Sequence, residues 1–178
     1  MPELTPTEAE FYKAISNRFS GLREILSITK LPDLGDSTGW YSLLSKMKSI
    51  QGNPSNDMSF IATHMAKEYL TERFSVDMDA ASKAQGAPGL DIDVIAAEGT
   101  RIVGEIKTTF PYKSNDLGAQ QLSAFRKDFR KLNNSKADHR FFFLTEGRTF
   151  DVMKDRKYWT EIPSVRVVLL PSGRELLD

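Results

Sequence analysis

The sequence predicts an α/β fold: a mixed sheet flanked by helices, with a helical extension at the N-terminus. Apolar residues recur at helical spacing through the first third of the chain and again after residue 115. Between these regions, Gly89–Thr109 divides into two arms rich in Val, Ile and Thr around Glu98, Gly99 and Thr100, the pattern of a β-hairpin. Further on, Arg140–Thr145 holds the unbroken apolar run Phe141-Phe142-Phe143-Leu144, as expected of a strand buried on both faces.

Thr5-Pro6-Thr7-Glu8 combines a capping residue, a first-turn proline and an early acid, so a helix starts there. Phe11, Ile15, Phe19, Leu22 and Leu26 follow at helical spacing, and Leu31–Asp36 is a loop. Ser37 or Thr38 is the expected cap of a second helix, which carries Trp40, Leu43, Leu44, Met47 and Ile50 and closes at Gly52. Asn53-Pro54-Ser55-Asn56 reads as a turn. Residues 1–57 are therefore expected to form a helical lobe and residues 58–178 the main domain. Trp40 and Tyr41, with Lys46 and Lys48, could stack on nucleic acid; ordinary packing of an amphipathic helix is the plainer reading.

Met58–Phe74 predicts a third helix with Phe60, Ile61, Met65, Tyr69 and Leu70 inward. Phe74–Asp79 alternates and predicts a strand, and Ala80–Gly89 a loop of small residues. The hairpin follows and Pro111 stops it. Asn115 or Asp116 starts a fourth helix through Leu132, closed by Asn133-Asn134-Ser135. After the phenylalanine strand come a short helix over Asp151–Trp159, a last strand over Val165–Leu170, and Pro171-Ser172-Gly173. From Met58 the order is helix, three strands, helix, strand, then helix and strand.

Side chains alternate faces along a strand, so Asp91 and Asp93 share one face of the first arm, and Glu105 and Lys107 share one face of the second. Ile92, Val94, Ile102, Gly104 and Ile106 take the other face. Carboxylates on a half-buried hairpin are costly unless paired or bound to a metal. Three of them beside one ammonium suggest a site for a hard divalent cation. A ladder of salt bridges along the strands is the plain alternative.

Asp93 followed by Glu105-Ile106-Lys107 on the next strand resembles the motif of the PD-(D/E)XK nuclease superfamily, although no proline directly precedes the aspartate. The tripeptide is short, and Asp155-Arg156-Lys157 matches it too, in a polar segment with no strand before it. The order of elements from Met58 resembles the αβββαβ core of these restriction-endonuclease-like proteins. The resemblance implies a Mg²⁺-dependent endonuclease (Mn²⁺ substituting) acting on double-stranded DNA. A type II restriction endonuclease working as a homodimer is the first expectation. A structure-specific enzyme such as a Holliday-junction resolvase is the alternative within the class. A non-catalytic nucleic-acid-binding module on the same fold is the alternative outside it.

The resemblance makes Asp93 and Glu105 metal ligands, adds the carbonyl of Ile106, and has Lys107 act on the attacking water or the phosphate. Asp91 competes with Asp93, since Gly-Leu-Asp91 resembles the motif of other relatives. Counting back from Glu105 around a turn centred near Gly99 puts Asp93 opposite it, which favours Asp93. Glu68, spaced by four from His64 and Glu72, is a further candidate ligand on the preceding helix. Gln120 and Gln121 are expected near the phosphate, with a solvated helix face as the alternative. Arg126, Lys127, Arg130 and Lys131 form a basic stretch that could track a DNA backbone, or simply face solvent.

The formal net charge is zero, which counts mildly against a nucleic-acid binder. There is no cysteine, which excludes disulfides, zinc-thiolate sites and thiol nucleophiles and fits a cytoplasmic location. No apolar run reaches membrane-spanning length, and Met1–Glu10 is acidic rather than leader-like, so no membrane association is expected.

Overall fold

The computed structural model describes residues 2–83, 86–113, 115–170 and 172–176. Part of the expected Ala80–Gly89 loop, and Pro171, lie outside these residues. The chain divides into two compact units, Leu4–Asp57 and Met58–Asp178, the latter joined by the first three residues.

The smaller unit holds α1 (Pro6–Ile28), α2 (Ser37–Gln51) and the first turn of α3 (Pro54–Phe74). Thr5 caps α1 reciprocally: its hydroxyl accepts from the Glu8 amide at 3.2 Å, and its own amide donates to the Glu8 carboxylate at 2.9 Å. Asp36, rather than Ser37 or Thr38, caps α2 by accepting from the Gly39 amide at 2.9 Å. The supposed turn at Asn53–Asn56 is the start of α3, because Pro54 is suited to a first helical turn. Trp40 donates its indole N–H to the Asp33 carbonyl at 3.2 Å, whereas Tyr41 is exposed.

The larger unit is an α/β domain. Its five-stranded mixed sheet runs in sequence order through β1 (Ile92–Ile95), β2 (Arg101–Lys107), β3 (His139–Leu144), β4 (Arg166–Leu169) and β5 (Arg174–Leu176). The outer pairs β1–β2 and β4–β5 are antiparallel, and β2, β3 and β4 run parallel. Helix α4 (Ala119–Asn134) links β2 to β3. Helix α5 (Gly147–Asp155) and a 3₁₀ turn (Tyr158–Glu161) link β3 to β4.

The sheet is covered on both faces. On one, Val103, Phe142, Leu144 and Val167 pack against α4 and α5 through Phe125, Phe129, Leu132, Phe150 and Met153. On the other, Ile92, Ile102, Phe141, Phe143 and Val168 meet α3 through Ala66, Tyr69 and Leu70. This double coverage explains why the phenylalanine run of β3 is continuous rather than alternating. Gly104 belongs to the α3 face, where a Cβ would come within 3.2 Å of the Phe143 ring.

Further sequence expectations change in this unit. Phe74–Asp79 is not a strand. Ser75 adopts a left-handed conformation (φ +51°), and the Thr71 hydroxyl donates to the Val76 carbonyl at 3.0 Å, so this backbone is turned away from a ladder. Its alternation records one-sided burial, with Val76 in the α3-side core. Conversely, the strand expected to be the last is followed by another, β5, antiparallel to β4. The short helix begins at Gly147 and ends at Asp155, so Asp155-Arg156-Lys157 lies at a helix end rather than in a strand.

Candidate active site

The β1–β2 hairpin sets the site. Its turn is closed by the Ala96 amide donating to the Thr100 carbonyl at 2.9 Å, and Gly99 supplies the left-handed position (φ +87°). The pairing is Ile92 with Gly104, Asp93 with Val103 and Ile95 with Arg101. One step further along this register, Asp91 comes beside Glu105. The turn is thus centred at Glu98, one residue before Gly99, and that single step shifts every partner by two.

The register overturns the expected pairing of Asp93 with Glu105, since Asp93 lies opposite Val103. The Asp93 carboxylate is gripped by the Arg101 guanidinium, Nε to Oδ1 at 2.9 Å and Nη2 to Oδ2 at 2.7 Å, and these hydrogen bonds hold its pKa below the usual carboxylate range. Asp91 instead accepts from the Ile106 amide through Oδ2 at 2.9 Å, and its carboxylate lies close enough to Glu105 to push the pKa of that group up. In an antiparallel ladder the N–H and C=O of one residue point to the same side. The Ile106 carbonyl therefore shares the edge of β2 that faces Asp91.

Helix α4 brings two residues that the motif does not contain. Asp128 is buried and forms ion pairs with Lys107 and, at 2.8 Å, with Lys131. Lys131 Nζ also donates to Glu105 Oε1 at 2.8 Å and to the Gly89 carbonyl at 3.3 Å. The site is thus two neighbouring carboxylates, Asp91 and Glu105, followed by an alternating run of Lys131, Asp128 and Lys107. Burial of the Asp128 carboxyl opposes its ionisation, but its hydrogen bonds from Lys107 and Lys131 win and lower its pKa. Burial likewise opposes charge on Lys131, and the bonds to Asp128 and Glu105 outweigh it and raise its pKa.

Glu105 is only 2 % exposed, and its pKa is pushed up to about 7. Burial is the first cause; Lys131 opposes it, and the neighbouring Asp91 carboxylate reinforces it. Folding therefore favours the protonated group. The resulting stability is fully present below the unfolded value near 4.5 and is lost as pH rises through about 7. In chelator, urea unfolding should show the protein more stable at pH 5 than at pH 8, by on the order of 2 kcal/mol. Glu105→Gln should flatten that slope; an unchanged slope would place its origin elsewhere.

The other candidates are placed differently. Glu68 lies on α3, which packs on the opposite face of the sheet, and its carboxylate is 4.0 Å from His64 Nδ1. Gln121 is engaged within the chain: it accepts from the Tyr112 and Gly118 amides at 2.9 and 3.0 Å and donates to the Phe110 carbonyl at 2.7 Å, pinning the loop before α4. Gln120 is exposed in the first turn of α4. The basic stretch divides. Arg126 forms a bidentate pair with Glu161, and Lys131 turns into the site, while Lys127 and Arg130 are exposed.

Among the described residues, no group of three or more histidine, aspartate and glutamate side chains is arranged to hold a metal. What the site offers a hard cation is the Asp91–Glu105 pair, the carbonyls of Ile106 and Gly89, and Asp128 behind Lys131. No protein-family model, curated protein or solved structure matches the chain. No helix among the described residues is long and apolar enough to cross a membrane.

Proposed function

We propose that the chain is a Mg²⁺-dependent DNA endonuclease with a restriction-endonuclease-like core, acting as a homodimer in the manner of a type II restriction enzyme. The observation that carries this reading is the pairing of Asp91 with Glu105 at the start of the hairpin, with Lys107 two residues on and on the same strand face. Two adjacent carboxylates, one of them buried, repel each other, and a hard cation between them relieves that repulsion. Asp91, Glu105 and the Ile106 carbonyl would hold the ion. The ion would supply Lewis-acid chemistry, polarising the scissile phosphate and acidifying a water. Lys107 would orient that water or stabilise charge on the phosphate, with Asp128 fixing its ammonium in place. The parallel run β2–β3–β4 ends at Lys107, Leu144 and Leu169, so the site lies by the carboxyl ends of strands, where α/β sheets commonly bind ligands.

The test is incubation of plasmid DNA with the purified protein in Mg²⁺ and in chelator. Discrete fragments support a restriction enzyme. Cleavage confined to branched DNA supports a structure-specific nuclease. One observation favours a second reading, a non-catalytic DNA-binding module: Glu105 and Asp128 are already compensated by Lys131 and Lys107. DNA binding without cleavage in either Mg²⁺ or Mn²⁺ would select it.

The divided basic helix yields a quantitative expectation. If the exposed Lys127 and Arg130 each neutralise one phosphate, substituting both with Ala lowers the slope of log affinity against log salt by about 1.8. Arg126→Ala changes it less, since Glu161 already engages that guanidinium. Titrations in chelator at several salt concentrations read this directly, and an unchanged slope in the double variant would assign the helix to solvent.

A further inference from the structure

We infer that the Lys131 ammonium is the protein's own occupant of a cation seat, and that a divalent ion binding at Glu105 displaces it. The inference rests on the metal-dependent reading above and goes further by naming what the ion must compete with. Lys131 Nζ has three oxygens around it: Glu105 Oε1 at 2.8 Å, Asp128 Oδ1 at 2.8 Å and the Gly89 carbonyl at 3.3 Å. An ammonium has three donors, so this set satisfies it fully. Carboxylate and carbonyl oxygens are also the ligands a hard divalent cation takes. Gly89 reaches the seat in a left-handed conformation (φ +95°) that favours glycine.

Physical necessity makes the two occupants exclusive. Glu105 is almost wholly buried, so its Oε1 has little room for a second partner, and an ammonium a few ångströms from a divalent ion is strongly repelled. Lys131 also has somewhere to go. Its side chain is 34 % exposed, so its flexible stem can carry the charge outward on α4 while Asp128 keeps Lys107. The lysine therefore keeps a buried carboxylate compensated in the metal-free protein and sets the affinity that an incoming ion must exceed.

The experiment measures Mn²⁺ binding to the DNA-free protein by titration calorimetry at pH 8, for the wild type, Lys131→Met and Lys131→Gln. Both variants keep much of the stem and remove the competing charge. Each should bind Mn²⁺ at least tenfold more tightly than the wild type, and adding Glu105→Gln should abolish that binding. A second measurement uses the unaltered protein: acetylation of Lys131 by acetic anhydride, read by mass spectrometry, should rise several-fold when Mg²⁺ is added. Equal or weaker Mn²⁺ binding in the variants, with Lys131 labelling unchanged by Mg²⁺, overturns the inference and leaves the metal-dependent reading standing. Absence of Mn²⁺ binding in all forms overturns both.

Discussion

Asp91→Asn is expected to lower Mg²⁺-dependent cleavage of plasmid DNA by about three orders of magnitude, and Lys107→Ala by a similar factor, within the range that positioned acid–base and charge-stabilising groups supply. Asp93→Asn, made as the matched control, should retain most activity. The difference follows from the register. Asp91 sits at the Ile106 amide and the Glu105 carboxyl, whereas Asp93 is opposite Val103 and held by Arg101. The Asp93–Arg101 pair is solvent-exposed, so losing it should cost the fold little. DNA affinity in chelator, measured beside cleavage, separates a chemical defect from a binding defect. The opposite ranking, with Asp93→Asn inactive and Asp91→Asn active, would return the ligand role to Asp93. Full activity in both would mean that neither aspartate holds the ion.

Phe142→Ala should cost about 3–5 kcal/mol in urea unfolding, a large part of the stability of an ordinary domain. Phe142 is fully buried on β3, and its ring meets those of Phe125 and Phe129 edge-on at 5.4 and 5.0 Å between centroids. Both partners are on α4, the helix that carries Asp128 and Lys131. Phe142 is also the parallel neighbour of Glu105 across β2–β3. The cavity would therefore loosen the helix that anchors Lys107 as well as destabilise the fold. Phe142→Leu, which keeps more of the volume, should lose distinctly less. A loss below about 1 kcal/mol in Phe142→Ala would show that the aromatic cluster does not hold α4 to the sheet.

Much of the fold was legible because it is written locally. The Thr5–Glu8 capping box, the hairpin around Gly99 and the phenylalanine strand each depend on residues within a few positions of one another. The failures lie where a local pattern has two physical causes. Phe74–Asp79 alternates because one side of an irregular segment is buried, which looks in sequence like a strand. For Gln121 and Arg126 a DNA-facing and a solvated reading fit the sequence equally, and their partners, the backbone of Phe110, Tyr112 and Gly118 and the Glu161 carboxylate, are brought to them only by the loop and the 3₁₀ turn.

By itself the sequence determined that Glu105 and Lys107 share one strand face and that a pair of aspartates shares a face of the strand before it, since alternation needs only the spacing of residues. Only the tertiary structure decided which aspartate meets Glu105. A shift of one residue in the turn centre moves every cross-strand partner by two, and composition around Gly99 does not specify that centre. It also decided that Asp128 and Lys131 complete the site. Their place follows from how α4 docks on β2 and β3 through Phe125 and Phe129, packing that is summed over many side chains and written in no single stretch of the chain.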